Sequence, residues 1–481
     1  MPSKFPDQCK IAKLKPLFKK GDKTKPKNFR PISLLPLISK VLEKIIHDQT
    51  QEFLTNNKIL YKYQSGFRPQ HSTDFCLSFL NNKILNGFDA GLLTGMILID
   101  LRKAFDTIDH KILLNKMQYL NFSENTIAWF RSYLENRTFL VTIENITSNA
   151  GNLSCGVPQG SILGPLLFLI YVNDMPGAIN FSELFLYADD SCIVFQDKSV
   201  KIIENKLLED FSNLCDWFVD NKLSIHFGED KTKSILFGVN RKLKKVDDFT
   251  ITYGETEIKR HSKVTYLGCI LDETLSGESM ALKVISKVNN RLRFLYRKNK
   301  FLTPSLRRLL CNALIQPHFD YACTSWYPSL NKNLKKKLQT AQNKCIRFCL
   351  FLPSREHLGA EEFKKISWLN IEDRFKQNVC TNVYRFFNKK SPDCLSDVFS
   401  PTLNLRSTRN SCLKLNQPSV KSNQGLNSLS YIGPFIWNKL PDDIKTSTSV
   451  NSFKHKIKED FLKTLLEKER DIYMHNLKCN M

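Results

Sequence analysis

The 481-residue chain has no hydrophobic run long enough to cross a bilayer: its longest, ILGPLLFLIYV at 162–172, is far short of the roughly 20 residues a span needs. The opening MPSKFPDQCK has no apolar signal-peptide core, so an intracellular protein, nuclear or cytoplasmic, is expected. No CxxC pair occurs among the 14 cysteines, which argues for reduced, mostly buried thiols and not a disulfide framework. Cys345, Cys349 and His357 resemble a zinc set, but the two cysteines stand four apart on the apolar face of a predicted helix, QNKCIRFCLFL, where core packing is their simpler use. No repeat period is visible. Acidic residues are scarce: 47 Asp and Glu against 71 Lys and Arg leave a net charge of +24, which points to a polyanionic partner, nucleic acid above all.

The positive charge is clustered. Ten basic residues lie between Met1 and Arg30, against Asp7 and Asp22 alone. Fifteen more, including Arg291, Arg293, Arg297, Lys298, Arg307, Arg308 and Lys335 to Lys337, lie between Lys283 and Arg347 against Asp320 alone. Interleaved with Phe294, Tyr296 and Phe301, this second cluster reads as a surface that tracks a phosphate backbone.

Along the chain, ISLLPLISKVLEKIIHDQTQEFL has helical apolar spacing, and YQSGFRPQHST is a Gly and Pro loop carrying Arg68 and His71. GMILID reads as a buried strand ending in Asp100, followed by a helix for which Asp109 is the natural cap. A hairpin then runs into GVPQGS, a buried helix follows, and LFLYADDSCIVF gives a second hairpin whose turn carries Asp189 and Asp190. An amphipathic helix around Lys201 to Asn221 and a strand, KSILFGV, complete an α+β layout whose strands come from distant segments. The chain is basic and helical from about Glu278 to Phe351, and a Ser/Asn-rich stretch near 417–430 is the best linker candidate, ahead of a charged helix from Phe453 to Arg470.

If the strand ending in Asp100 pairs with the hairpin, three carboxylates converge at one sheet edge. Three uncompensated anions that close raise one another's pKa, and a divalent cation removes the conflict. Carboxylates on rigid strand ends suit Mg²⁺, which accepts substrate phosphates as further ligands; two such ions about 4 Å apart are the arrangement of polymerases. Taken alone, the same residues also read as solvated turn carboxylates. Phe105, five residues past Asp100, could lie beneath a nucleotide sugar; Gly156 and Gly160 allow close backbone approach; Gln159 offers an amide; and Arg30 and Arg68 could hold a triphosphate.

In order, FKKGDKTKPKNFRPISLLPLISKVLEKII, YQSGFRPQHST, LIDLRKAFDTIDHKILLNKM, GVPQGSILGPLLFLIYVNDM, LYADD, NKLSIHFGEDKTK and YLG strongly resemble the reverse transcriptase of non-LTR retrotransposons, in particular the Jockey and CR1-like lineages. The resemblance covers about Lys13 to Gly268, and LCNALIQPHFDYACTSWYP and YIGPFIWNKLPDDIK resemble the region downstream of it. It implies a right-hand polymerase: fingers and an antiparallel palm over 1–275, a helical basic thumb over 276–350, and a mostly helical C-terminal region over 351–481.

Asp100, Asp189 and Asp190 would hold two Mg²⁺ ions (or Mn²⁺), with the Leu101 carbonyl as an extra ligand. Phe105 would be the steric gate against a ribose 2′-hydroxyl, Gln159 and Gly160 would shape the nucleotide pocket, and Arg30 and Arg68 would grip the triphosphate. Lys231 would give a proton to pyrophosphate, Tyr187 would lie beside the primer terminus, and Tyr266, Leu267 and Gly268 would form the primer grip. The implied partners are an RNA template, a DNA primer and dNTPs. Full-length members carry an endonuclease domain ahead of the polymerase, so the expectation is a 5′-truncated element, or a gene model starting at an internal Met, with an endonuclease supplied in trans. The alternative is a catalytically inactive remnant that only binds RNA.

Overall fold

A computed structural model of the chain describes residues 4–144, 146–228, 231–246, 248–402 and 413–479. Nine of its strands form two sheets: β1 (Ile11–Phe18), β2 (Phe29–Leu34), β3 (Leu93–Ile99), β4 (Arg137–Ile143), β5 (Ile146–Thr147), β6 (Gly151–Leu153), β7 (Glu183–Tyr187), β8 (Asp190–Asp197) and β9 (Lys233–Phe237). The first sheet runs β2-β1-β4-β5 with β6 on β4; β1 is antiparallel to β2 and parallel to β4. The basic entry segment is therefore a strand, and ISL of the stretch with helical spacing belongs to β2. The helix begins only at Leu37, because Pro36 cannot donate to a ladder but fits a helix start.

The second sheet, β7-β8-β3-β9, is antiparallel throughout. Every residue of β3 is buried, so the strand has no polar face. Its side chains still alternate between two cores, as period-two geometry requires. Met96 and Leu98, with Phe185, Val194 and Ile235, face a core shared with the helix Thr73–Asp89 and the later helices. Ile97 and Ile99, with Leu184, Ile193 and Leu236, face another made by the helices His110–Tyr119, Glu124–Leu134, Leu163–Tyr171 and Val200–Asp220. Gly95 permits that packing: a Cβ there would stand 2.3 Å from the Ile203 side chain.

The basic segment forms helices Glu278–Arg297, Pro304–Leu314 and Lys332–Leu350, and Cys345 and Cys349 lie buried in the last, as core packing required. The stretch expected as a linker is instead pinned to the body. The Asp89 carboxylate accepts from the Lys421 and Ser422 N–H groups at 2.8 and 2.7 Å, and Asn82 accepts from the Ser430 N–H at 2.9 Å. Composition alone does not reveal such docking, because small polar residues suit a tightly hydrogen-bonded surface strap as well as a loose tether. The helix Ile371–Phe387 is tied to the body in the same way: the half-buried Asp74 accepts from Thr324 and Asn382, and Arg374 pairs with Asp320. Among the described residues no helix is long and apolar enough to cross a membrane.

Candidate functional site

β3 and β8 pair antiparallel with Ile99 opposite Ser191, so one step further brings Asp100 opposite Asp190. β7 and β8 close as a hairpin with Tyr187 opposite Asp190, leaving Ala188 and Asp189 as a two-residue turn. Ala188 sits at φ +58°, a left-handed conformation that costs a non-glycine residue on the order of 1 kcal/mol. The hairpin is fixed at its entry too: the fully buried Asp210 carboxylate gathers the N–H groups of Asn180, Phe181 and Ser182. Register thus makes Asp100 and Asp190 converge, with Asp189 next to Asp190 in the turn.

The electrostatics carry the strain that convergence implies. Partial burial, then the charges of Asp189 and Asp100, push the Asp190 carboxyl up to about 6 against the lowering influence of Lys231. Asp190 keeps solvent access, so the neighbouring charges are the part of that shift a bound cation would reverse. The Lys231 ammonium lies 3.0 Å from Asp100 Oδ2 and supplies some of the missing positive charge. Among the described residues no three His, Cys, Asp or Glu side chains close into a ready metal cage. Hard carboxylate oxygens in an open site nevertheless fit Mg²⁺, which binds through one or two carboxylates and completes its shell with water and substrate phosphates. At Leu101 the chain bridges Ile225: the His226 N–H donates to the Asp100 carbonyl and the Arg102 N–H to the Ser224 carbonyl. In such an antiparallel bridge Leu101's own carbonyl faces the other way, toward the side on which β8 lies.

A segment not singled out for this purpose in the sequence lies against the hairpin. Tyr63 to Gly66 runs beside β7, with the Ser65 N–H donating to the Leu186 carbonyl and the Leu186 N–H to the Tyr63 carbonyl. A Cβ on Gly66 would stand 2.2 Å from the Ala188 nitrogen, so only glycine lets this loop touch the carboxylate turn. The signal in YQSGF was the glycine; its contact lies more than a hundred residues away and leaves no local trace.

Phe105 stacks on Phe168 at 4.6 Å and meets the exposed Phe67 edge-on at 6.1 Å. The GVPQG loop is anchored on two sides. The Val157 N–H donates to the Phe105 carbonyl and the Ser33 N–H to the Gln159 carbonyl, while the Gly160 backbone at φ +117° comes so close to β2 that a Cβ would stand 2.8 Å from the Ser33 oxygen. The Gln159 amide, expected to face a ligand, donates to Asp106 at 2.7 Å. Glu43, also missed, is fully buried, accepting from the Ile162 N–H at 2.6 Å and so capping the helix that carries Phe168. A charged residue within the buried stripe Ser39, Glu43, Ile46, Thr50 and Leu54 was its visible signal.

Arg30 is exposed on β2, but Arg68 is turned inward, donating to the Tyr61 and Gln64 carbonyls at 2.7 and 3.1 Å. Its loop curls back and presents carbonyls that a guanidinium satisfies, so Arg68 braces the loop and is not a free cation. Leu267 and Gly268 form the two-residue turn of the hairpin Lys263–Tyr266/Cys269–Asp272, both with positive φ (+46° and +78°), as a type I′ turn demands. The Tyr321 hydroxyl donates to the Leu267 carbonyl and the Lys283 ammonium to the Gly268 carbonyl, so the basic helical region holds this tip. Tyr266 is only 3% exposed beside Cys76, and so supports the tip from below. Tyr187 is half-buried in the same core.

Arg291, Arg293, Arg297, Lys298 and Arg308 are exposed beside Phe294, Tyr296 and Phe301, as the backbone-tracking reading requires. Arg307 is the exception: it is 3% exposed, donates to the carbonyls of Asn299, Leu302 and Phe348, and lies over the Phe351 ring. Arg307→Met is therefore expected to lower stability by about 2–4 kcal/mol in chemical denaturation, because three carbonyls lose a charged donor, whereas Arg308→Met changes it by less than about 0.5 kcal/mol.

The family model described as "Reverse transcriptase (RNA-dependent DNA polymerase)" matches residues 18–271, more than half of the chain. The probable RNA-directed DNA polymerase from transposon X-element of Drosophila melanogaster is 29% identical over 355 residues, covering 71% of this chain and 38% of that protein. The RNA-directed DNA polymerase from mobile element jockey of the same fly is 29% identical over 280 residues, 56% of this chain and 30% of that protein. The chain thus spans only about a third of the length of these curated relatives. A solved telomerase from Candida albicans, in complex with a TWJ fragment of telomeric RNA, matches at a TM-score of 0.39 and 13% identity over 81% of this chain and 66% of that one. On the match over 18–271, the chain belongs to the reverse transcriptase (RNA-dependent DNA polymerase) family.

Proposed function

We propose that this chain is the RNA-directed DNA polymerase of a non-LTR retrotransposon, extending a DNA primer on an RNA template with dNTPs. The observation that carries this reading is the register that sets Asp100 opposite Asp190, beside a turn bearing Asp189. Residues 1–275 act as fingers and palm, 276–350 as a thumb that grips duplex by its phosphates, and 351–481 as a region that braces both.

Asp100, Asp189 and Asp190, with the Leu101 carbonyl, hold two Mg²⁺ ions, Mn²⁺ being an acceptable substitute. When bound, the ions activate the primer 3′-hydroxyl and neutralise charge on the leaving pyrophosphate. The chain's own groups do the rest. Arg30 contacts the triphosphate, Gly160 and the Gln159 backbone shape the pocket wall, and Lys231, tethered to Asp100, gives a proton to the departing pyrophosphate. Tyr187 and the Leu267-Gly268 tip carry the primer end; Arg68 and Tyr266 hold these elements from behind. Phe105, backed by Phe168, excludes a ribose 2′-hydroxyl. Phe105→Ala is expected to relax discrimination between dNTP and rNTP by about 10-fold or more, read from the ratio of kcat/KM values, with extension of dNTPs retained.

The test of the whole reading is extension of a DNA primer annealed to RNA by the purified chain with dNTPs and Mg²⁺. Template-directed products that EDTA abolishes are expected; tight RNA binding without any product would instead favour the RNA-binding remnant.

A further inference from the structure

We infer that Gln64 is a positioning residue for the carboxylate turn, holding the Ala188 backbone so that Asp189 and Asp190 keep their working geometry. The inference rests on the polymerase reading above and adds to it a residue that none of the assigned roles covers. Gln64 is 3% exposed and forms a parallel bridge with Leu186 of β7, which brings its side chain to the turn. Its Oε1 accepts from two N–H groups, that of Gly66 at 2.8 Å and that of Ala188 at 3.0 Å.

Both contacts matter to the turn. Ala188 is the residue held at φ +58°, and in a two-residue hairpin its N–H has no partner across the ladder. A fixed acceptor at that N–H stabilises the left-handed conformation against relaxation to an ordinary turn, which would swing Asp189 away from Asp100. The Gly66 contact ties the same carbonyl to the residue whose missing Cβ lets the loop approach Ala188. One side-chain oxygen therefore links the two backbones at their closest point.

The other end of the side chain shows what the position is for. Gln64 Nε2 is buried and has no hydrogen-bond partner among the described residues. An unsatisfied buried donor is unfavourable, and an isosteric apolar side chain would avoid it. Leucine would remove that orphan donor but strand the buried Gly66 and Ala188 N–H groups, so an acceptor aimed at the turn requires glutamine or its acid counterpart. Glutamate there, buried beside two aspartates, takes up a proton and keeps a carbonyl oxygen for Ala188.

The experiment compares Gln64→Leu and Gln64→Glu with the wild type in single-nucleotide extension on primed RNA, with melting temperatures and hydrogen exchange of the peptide spanning 184–192. Positioning predicts that Gln64→Leu loses about 10-fold or more in kcat while KM for dNTP and Kd for primed RNA stay within about 2-fold. It also predicts that Gln64→Glu keeps more activity than Gln64→Leu whichever of the two melts lower, and that exchange in 184–192 quickens only in Gln64→Leu. Activity of Gln64→Leu equal to wild type, with Gln64→Glu impaired, would overturn the inference. A wild type that never extends would instead overturn the polymerase reading; the exchange comparison then decides the role of Gln64, and equal exchange in all three proteins counts against it.

Discussion

Asp189→Asn is expected to reduce the rate of single-nucleotide extension by about 10³-fold or more, equivalent to about 4 kcal/mol of transition-state stabilisation, while leaving affinity for primed RNA unchanged or slightly higher. The split follows from the charge layout. Asp189 sits in a turn between Tyr187 and Asp190, where its carboxylate and that of Asp190 lie beside Asp100 as three like charges. Removing one of them weakens metal binding at the reacting phosphate but also removes an anion from the path of a polyanionic substrate. A drop in RNA affinity that parallels the drop in rate would mean that Asp189 supports the fold or the nucleic-acid surface and not the chemistry.

Gly66→Ala is expected to lower kcat by about 10²-fold without loss of folding, a large effect for one methyl group. The added Cβ would stand 2.2 Å from the Ala188 nitrogen and 2.9 Å from the Tyr187 carbonyl carbon, and both neighbours are backbone atoms that cannot rotate away. The loop or the hairpin must move by about an ångström, enough to spoil the approach of reacting groups. Overpacking of this kind costs about 1–3 kcal/mol of stability, which a protein of this size tolerates. Extension rates with saturating dNTP, measured beside a thermal melt, check it. A rate within about 3-fold of wild type would show that the loop stands further from the turn than the structure has it.

These expectations mark where the sequence is informative and where it falls silent. The strand ending beside Asp100, the hairpin whose turn bears Asp189 and the buried helix after GVPQGS were legible because each is a local pattern of apolar periodicity and turn residues. Asp109 reads as a helix cap and is one, accepting from the Lys111 and Ile112 N–H groups. The supports were not legible. Gly66, Glu43 and Asp210 act on segments 28 to 122 residues away, so their partners cannot be read from neighbouring sequence. Charge misled for a similar reason. Arg68 and Arg307 look like the exposed arginines around them, but each sits where unpaired carbonyls converge and a guanidinium satisfies two or three at once. The same holds for the strap at 417–430, whose composition suits a linker but whose backbone N–H groups find Asp89 and Asn82.

Behind both large effects stands one claim: the three aspartates are set too close for comfort without divalent ions, and substrate phosphates complete the site that binds them. Counting bound Mn²⁺ by EPR, with primed RNA ending in a dideoxynucleotide and the matching dNTP, measures this directly. The account predicts about two ions per chain in the wild type and about one or fewer in Asp100→Asn. Equal counts in the two proteins, or no Mn²⁺ beyond what the free nucleotide holds, would contradict it.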